Sequence, residues 1–411
     1  MGKKDYTSGD QLTTMNVVGI LALFCCMSEF AILTPSIAAF AKHFVGTDIT
    51  TIMFANSITG IVSVPVSIIM GAELSRFGFR KTGIVGILVM TLGGAFPFLL
   101  PNITNYLYVI VSRIIVGIGL GIMFPVGNAT IIAFFDGEKR SRYLGLGMTI
   151  QFLFNLLYTT VAGFLTEIAW NFSFLAYLIG FIPLIFVAIW MPEARGVVQA
   201  KEAKDPALGL KGPKEPVPKA IWGYAIYALV GWTCVVTVQV VTSSVLDARQ
   251  LASSGVASLV INCCGIGSIL CGLVFPYTVR LLKGRTFGVS AVLIVLGIIP
   301  CLVADNVYLY ALGVFILGFG GSTFFTAAQN ATGNLSPKTR VPFVSGVMTS
   351  MMNLGPFIGP YIFSWSMVAN PAMGLDAIFP VLIVMGAFCA VVGLIHPMRA
   401  LSIEKADEPE D

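Results

Sequence analysis

The sequence is short of charge. Only 11% of its 411 residues are Asp, Glu, Lys or Arg, against about 25% in a soluble globular domain. That shortage excludes an ordinary soluble enzyme, a disordered chain and a nucleic-acid binder, which needs a basic face. Histidine is scarcer still, with His43 and His396 alone. No Cys/His cluster is present, so no protein-held metal centre is expected. The cysteines (Cys25, Cys26, Cys234, Cys263, Cys264, Cys271, Cys301 and Cys389) lie in apolar runs without a C-x-x-C pair. They read as small hydrophobes rather than redox or metal groups. No cofactor is expected. A cleavable signal peptide is missing too: the polar N-terminus leads into a run too long for a signal h-region. Tyr6 stands where a myristoylation signal needs Ser or Thr.

Apolar length is what the chain has. Hydrophobic residues make up 56% of it, and the mean hydropathy is +0.89. Runs near 14–41, 50–72, 82–100, 104–134, 142–166, 170–191, 220–244, 253–279, 286–304, 306–333, 341–368 and 374–397 are numbered here spans 1 to 12. A bilayer-crossing helix needs about 20 apolar residues, whereas barrel strands would alternate over short segments. The expected fold class is therefore all-α integral membrane, with twelve transmembrane helices.

The basic residues test that count. With both termini inside, the inner segments collect Lys3 and Lys4; Arg76, Arg80 and Lys81; Lys139, Arg140 and Arg142; and the six cations from Arg195 to Lys219. They go on to collect Arg280, Lys283 and Arg285; Lys338 and Arg340; Arg399 and Lys405. The outer loops keep only Lys42 and Arg249. This is the positive-inside distribution, and one misplaced span would scramble it. A multi-pass protein of the plasma (inner) membrane with cytoplasmic termini is expected.

Segment 192–219, rich in Lys, Glu, Pro and Gly, reads as a cytoplasmic linker. It separates a six-helix bundle at 1–191 from another at 220–397, and 398–411 is an acidic cytoplasmic tail. An internal repeat agrees with this division. At an offset of 202, Gly119 meets Gly321, and Asn128-Ala129-Thr130 recurs as Asn330-Ala331-Thr332. A basic loop and a Gly-Met-Thr or Gly-Val-Met-Thr string follow each triplet. Two pseudo-symmetric bundles around a midplane site are the architecture of many secondary transporters.

Three motifs carry a family resemblance. Gly71-Ala72-Glu73-Leu74-Ser75-Arg76-Phe77-Gly78-Phe79-Arg80-Lys81 resembles the signature loop G-x-L-x-D-R-x-G-R-[RK] of the major facilitator superfamily. Gly71, Arg76, Gly78 and Arg80 match, while Ser75 replaces the Asp and Phe79 a basic residue. Val109-x-x-x-Arg113-x-x-Val116-Gly117-x-Gly119 in span 4 is similar to the family's L-x-x-x-R-x-x-Q-G-x-G, with Val116 for Gln. Asp136 to Arg142 followed by Gly145 resembles the family's loop between spans 4 and 5. The resemblance implies a twelve-helix secondary transporter in which Gly71, Arg76, Gly78 and Arg80 form a cytoplasmic gating loop. The Gly-Pro pair that antiporters of the family carry in span 5 is missing. Span 11 instead holds Gly355-Pro356 and Gly359-Pro360.

Only Glu29 and Arg113 remain as ionisable groups well inside spans. A charge at the bilayer centre costs about 2.5–3.5 kcal/mol even on the mild insertion scale, so such residues face a cavity and have a partner. At about 1.5 Å per residue, Glu29 lies about 21 Å and Arg113 about 12 Å from the outer ends of their helices. Direct contact and a water bridge both fit. The resemblance implies a shared cavity, because some multidrug transporters of the family pair an acid in span 1 with an Arg in span 4. Glu29 is expected to exchange a proton while Arg113 tunes it or binds an anion; the alternative is a static ion pair.

Polar stripes mark the rest of the expected lining. Gln151, Asn155 and Thr159 share one face of span 5. Thr349 and Asn353 do so on span 11, and Trp232 and Gln239 on span 7. Asn56 and Thr59 mark span 2, and Gln329 with Asn330 marks span 10. Such groups line a wet cavity or bond neighbouring helices. Trp170, Trp190, Trp222 and Trp365 fit an interfacial belt, which leaves Trp232 as a substrate platform. Gly117-x-x-x-Gly121 is a close-packing pattern, with no strand before it or Lys after it to make a phosphate loop.

The expected function is secondary active transport of a small organic solute by alternating access, with H+ as coupling ion. A small organic anion or amphipathic metabolite is favoured, and proton-driven export of lipophilic drugs is the alternative. A membrane enzyme would need a catalytic constellation at depth, and a channel a repeated filter or charged ring; neither is found. The expected partners are the solute and the lipid bilayer, with no nucleic acid, and the protein is expected to be a monomer.

Overall fold

The computed structural model describes residues 12–135, 137–194, 218–335, 348, 351 and 354–395. Among these the chain is helical with no strand, and ten helices are long and apolar enough to cross a membrane. The other two spans account for the difference from twelve. Span 11 is seen as Gly355–Ala369, its expected first half lying largely outside the described residues. Span 1 is broken in the middle.

Span 1 starts as a regular helix, Thr14–Cys26. A reciprocal cap opens it, with Asn16 N donating to Thr13 Oγ1 (3.3 Å) and Thr13 N to Asn16 Oδ1 (3.0 Å). Two 3-10 turns follow, Glu29–Ala31 and Thr34–Ser36, before the helix resumes at Ile37–His43. Pro35 is one cause: it has no N–H for the carbonyl four residues back, and its ring excludes that carbonyl. Hydroxyl side chains of this stretch bond the neighbouring helices. Ser28 Oγ donates to Gln151 O (3.0 Å), Ser36 Oγ bonds Thr166 Oγ1 (2.6 Å), and Asn56 Nδ2 donates to Thr34 Oγ1 (3.2 Å). The continuous helix expected over 14–41 is therefore corrected to two helices around an irregular centre that holds Glu29.

Span 6 is also composite. Trp170–Gly180 is a 3-10 helix and Phe181–Trp190 an α-helix. Pro183 sits in the first turn of the α part, just past the change of helix type. In a 3-10 helix every third side chain eclipses; Phe174, Tyr177 and Gly180 fall on one such row and all are buried. At its N-terminal end Trp170 stacks on His43, with centroids 4.4 Å apart, and meets Phe40 and Phe44 edge-on. This aromatic cluster joins the C-terminal end of span 1 to the N-terminal end of span 6.

The chain divides into two compact units, Met1–Pro213 and Lys214–Asp411. In the first, span 4 (Leu107–Phe134) packs on span 2 (Ile49–Phe77) and span 3 (Phe79–Ala95) through glycines. A Cβ at Gly117 would lie 2.8 Å from Thr59 O, one at Gly121 2.7 Å from Ser63 O, and one at Gly119 2.7 Å from Met90 N. Span 4 therefore uses alternate glycines for two neighbours, and the expected close-packing pair Gly117 and Gly121 both meet span 2.

In the second unit span 10 (Val307–Leu335) does the same. Gly318 abuts the Cys264 backbone of span 8 (Ser254–Leu282), and a Cβ at Gly320 would lie 2.9 Å from Ile294 N of span 9 (Thr286–Val303). By contact, the partner of Gly119 is thus Gly320. Gly321, its partner at an offset of 202, faces Val235 of span 7 (Lys219–Ala248). The repeat is present in the packing, but one residue shorter than the Asn-Ala-Thr triplets suggest.

Candidate functional site

In the first unit the candidate site is built around the break in span 1. Glu29 is fully buried. Tyr158 of span 5 (Gly137–Ile168) donates its hydroxyl to Glu29 Oε1 at 3.3 Å, and the Cys26 thiol lies beside the carboxylate. Glu29 Oε2 is buried and takes no hydrogen bond, and Thr91 Oγ1 of span 3 is in the same condition. A buried carboxylate oxygen left without a protein donor is costly. Gly180 explains how Thr91 and Glu29 come together: a Cβ there would sit 2.6 Å from Glu29 Oε1 and closer still to Thr91 Oγ1.

Arg113 is also fully buried. Its Nε donates to Ala55 O of span 2 at 3.2 Å, its Nη1 donates to the Tyr177 hydroxyl of span 6, and its own carbonyl accepts from Thr59 Oγ1 at 3.2 Å. Glu29 and Arg113 thus take tyrosines of different helices as direct partners. Tyr177 and Gly180 are three residues apart, about 6 Å along a 3-10 helix. The arginine layer and the carboxylate layer are one turn apart along span 6.

The remaining expected residues of this unit are partly gathered here. Asn56 braces the broken span through Thr34. Gln151 enters through its backbone, accepting from Ser28, and Asn155 O accepts from Thr159 Oγ1 at 2.8 Å. Both side chains are half-buried. Tyr158 follows Gln151 by seven residues, on the same face of span 5. Tyr158, Tyr177 and Thr91 were not foreseen, because a search for charges at depth passes over hydroxyls. The i+7 spacing from Gln151 is the signal that could have found Tyr158.

In the second unit Trp232 packs on Phe325 of span 10, with centroids 5.6 Å apart. Gln239 Nε2 donates to Cys264 Sγ of span 8 at 3.0 Å. The two residues thus address different neighbours. Gln329 lies in span 10 one turn beyond Phe325, and its side chain is outside the description; Asn353 lies outside the described residues.

The signature loop joins spans 2 and 3. Gly78 has φ +90°, which only glycine adopts without strain. Its geometry turns the first N–H groups of span 3 toward Glu193, just past the end of span 6. Phe79 N donates to Glu193 Oε1 at 2.7 Å and Arg80 N to Glu193 Oε2 at 3.3 Å, a carboxylate on a helix N-terminus. Arg80 Nη2 donates to Ala188 O, so the loop is tied twice to span 6. Arg76 makes a 3.5 Å surface pair with Glu73. Gly71 lies in span 2, its surroundings outside the description. The carboxylate that holds this loop, at Phe79 N and Arg80 N, comes from Glu193, which was not foreseen.

A family model described as Major Facilitator Superfamily matches residues 19–289 and 239–410. Over 187 residues the chain is 25% identical to the multidrug efflux pump SdrM of Staphylococcus aureus (strain N315), a match spanning 44% of this chain and 40% of that protein. The solved D-xylose-proton symporter superposes with a TM-score of 0.70 at 16% identity, over 94% of this chain and 98% of that one. A structure of the peptide transporter POT gives 0.71 at 14% identity, over 95% and 96%. The nucleoside transporter NupG gives 0.71 at 12%, over 93% and 99%. At such identities these structures speak to the fold. With the family model covering nearly the whole chain, the protein is a multi-pass membrane transporter rather than an enzyme, and it belongs to the Major Facilitator Superfamily.

Proposed function

We propose that this protein moves a small organic solute across the plasma (inner) membrane by proton-coupled alternating access, with Glu29 as the acid that takes up and releases the proton. It would work as a monomer with both termini cytoplasmic. The observation that carries the reading is a fully buried carboxylate at a break in span 1, with one oxygen bonded by Tyr158 and the other without a donor. An acid so placed is costly as an anion and competent to hold a proton. Broken helices at mid-membrane are where secondary transporters build such sites.

The favoured substrate class is a small organic anion or amphipathic metabolite. Arg113 is enclosed, with Nε and Nη1 given to Ala55 and Tyr177. That supports a supporting role for Arg113 toward Glu29 more than direct capture of an anion, and so favours the amphipathic member of the pair. Export of lipophilic compounds is the second reading, supported by the similarity to a multidrug efflux pump. Purified protein in liposomes under an imposed pH gradient, screened with labelled organic acids and lipophilic cations, separates the two. Saturable uptake of an acid without movement of any cation supports the first reading. Proton-driven cation movement alone supports the second, and loss of neither flux in Glu29→Gln removes Glu29 from both.

A further inference from the structure

Spans 3 and 6 clasp each other through two notches. On span 6, Tyr177 and Gly180 are one 3-10 turn apart on one face. On span 3, Thr91 and Gly94 are three residues apart and so share a face. The Tyr177 ring fills the notch at Gly94, where a Cβ would run into it, and Thr91 reaches into the notch at Gly180. The outer layer of this clasp carries Tyr177 and, through its hydroxyl, Arg113. The inner layer carries Thr91 and the Glu29 carboxylate.

The hydrogen-bond inventory of the clasp is uneven. A phenol has one proton to give and lone pairs to accept with. Arg113 Nη1 already donates to the Tyr177 oxygen, so the phenol's own proton is free to be given. One turn inward are two buried oxygens without a donor, Glu29 Oε2 and Thr91 Oγ1. Other titratable groups facing Glu29 are few. Its own segment offers Cys26, span 5 offers Tyr158, span 6 offers Tyr177 with Arg113 of span 4 bonded to it, and span 2 has no ionisable side chain from Ile49 to Met70.

The geometry points to Tyr177 as the positioning residue that ties Glu29 to Arg113: its hydroxyl accepts from the guanidinium and turns its own proton toward the carboxylate, in a seat completed by Thr91. This rests on the reading of Glu29 as the exchanging acid. This structure has no Tyr177–Glu29 bond, since Oε2 takes none; with Glu29 ionised and that bond made, the chain Arg113–Tyr177–Glu29 would run donor to acceptor, and such chains polarise cooperatively. When Glu29 carries its proton, that proton can be given to Thr91 Oγ1, and the Tyr177 proton loses its charged acceptor. The guanidinium therefore feels the carboxyl's state without touching it.

Infrared difference spectroscopy on the full chain in lipid nanodiscs, titrated with protons alone, tests this without a substrate. The wild type should show a carboxylic C=O band that Glu29→Gln removes. Tyr177→Phe keeps the ring that fills the Gly94 notch and deletes only the hydroxyl. It should move the band frequency and change the half-titrating proton concentration by at least about tenfold, the scale of one hydrogen bond to a charge. If the band belongs to Glu29 but Tyr177→Phe leaves its frequency and midpoint unchanged, the relay is overturned. If Glu29→Gln leaves the band intact, the underlying reading of Glu29 fails instead. Should Tyr177→Phe not fold, 3-fluorotyrosine at this position keeps ring and hydroxyl while making the hydroxyl more acidic. The band must then shift, and an unshifted band overturns the relay.

Discussion

Glu193 is the residue whose removal has the most calculable consequence. Its two oxygens accept from Phe79 N and Arg80 N at 2.7 and 3.3 Å, and Gly78 holds a left-handed backbone beneath them. Glu193→Ala frees both N–H groups at the start of span 3. By analogy with lost helix caps this costs about 0.5–2 kcal/mol. Because Glu193 is half-buried, solvent replaces part of what is lost, and about 1 kcal/mol is expected. Glu193→Gln keeps one acceptor and loses the charge at the helix N-terminus, about 0.3–1 kcal/mol. The expected order of stability is therefore wild type, then Gln, then Ala. Unfolding of the purified protein in mixed micelles with rising denaturing detergent, followed by tryptophan fluorescence, reads this order. Salt should narrow the gap between wild type and Gln, since the charge term is screened. If the Ala variant is as stable as the wild type, or if Gln is the less stable of the two, the carboxylate does not hold the start of span 3.

Other substitutions probe the packing. In the second unit Arg249 gives Nη1 to Cys301 O and Ala304 O and Nη2 to Leu302 O and Asp376 Oδ1. Asp376→Asn should therefore cost at most about 1 kcal/mol, while Arg249→Leu strips several carbonyls at the end of span 9 and should cost about 2–3 kcal/mol; equal costs in the same unfolding assay would contradict this. Gly180→Ala places a methyl 2.6 Å from Glu29 Oε1 and should cut proton-driven transport at least about tenfold, whereas Gly145→Ala, with open space around it, should leave both transport and stability unchanged. Gly78→Ala forces a side chain to φ +90° and should lower stability by about 1–3 kcal/mol.

The spans were legible because charge is so scarce that each cation marks a side, and Arg249 is instructive in that respect. It was placed in an outer loop, an exception shared only with Lys42, and in the structure it closes the end of span 9. The break in span 1 was less legible. Glu29 was identified as an acid at depth, but apolar periodicity continues across Ser28, Thr34 and Pro35, and only the proline warns that a carbonyl must look elsewhere. The hydroxyls around the break bond span 5 through Gln151 and span 2 through Asn56, contacts that local periodicity does not announce. The 3-10 half of span 6 has even less signature, since an i, i+3 row looks like part of an α-helical face until the turn tightens. That is why Tyr177 went unmarked and the depth arithmetic left a direct Glu29–Arg113 contact open. The repeat shows the same limit: matching letters put Gly119 against Gly321, while backbone contact puts it against Gly320.

The central claim is that Glu29 is where the proton is exchanged. Its most direct test is Glu29→Gln in proteoliposomes, comparing accumulation driven by a pH gradient with substrate-for-substrate counterflow, using whichever labelled solute the screen identifies. The amide fills the same volume and cannot change charge. The account predicts that gradient-driven accumulation disappears while counterflow persists and loses its pH dependence. Gradient-driven accumulation at the wild-type level, with its pH dependence intact, would contradict it.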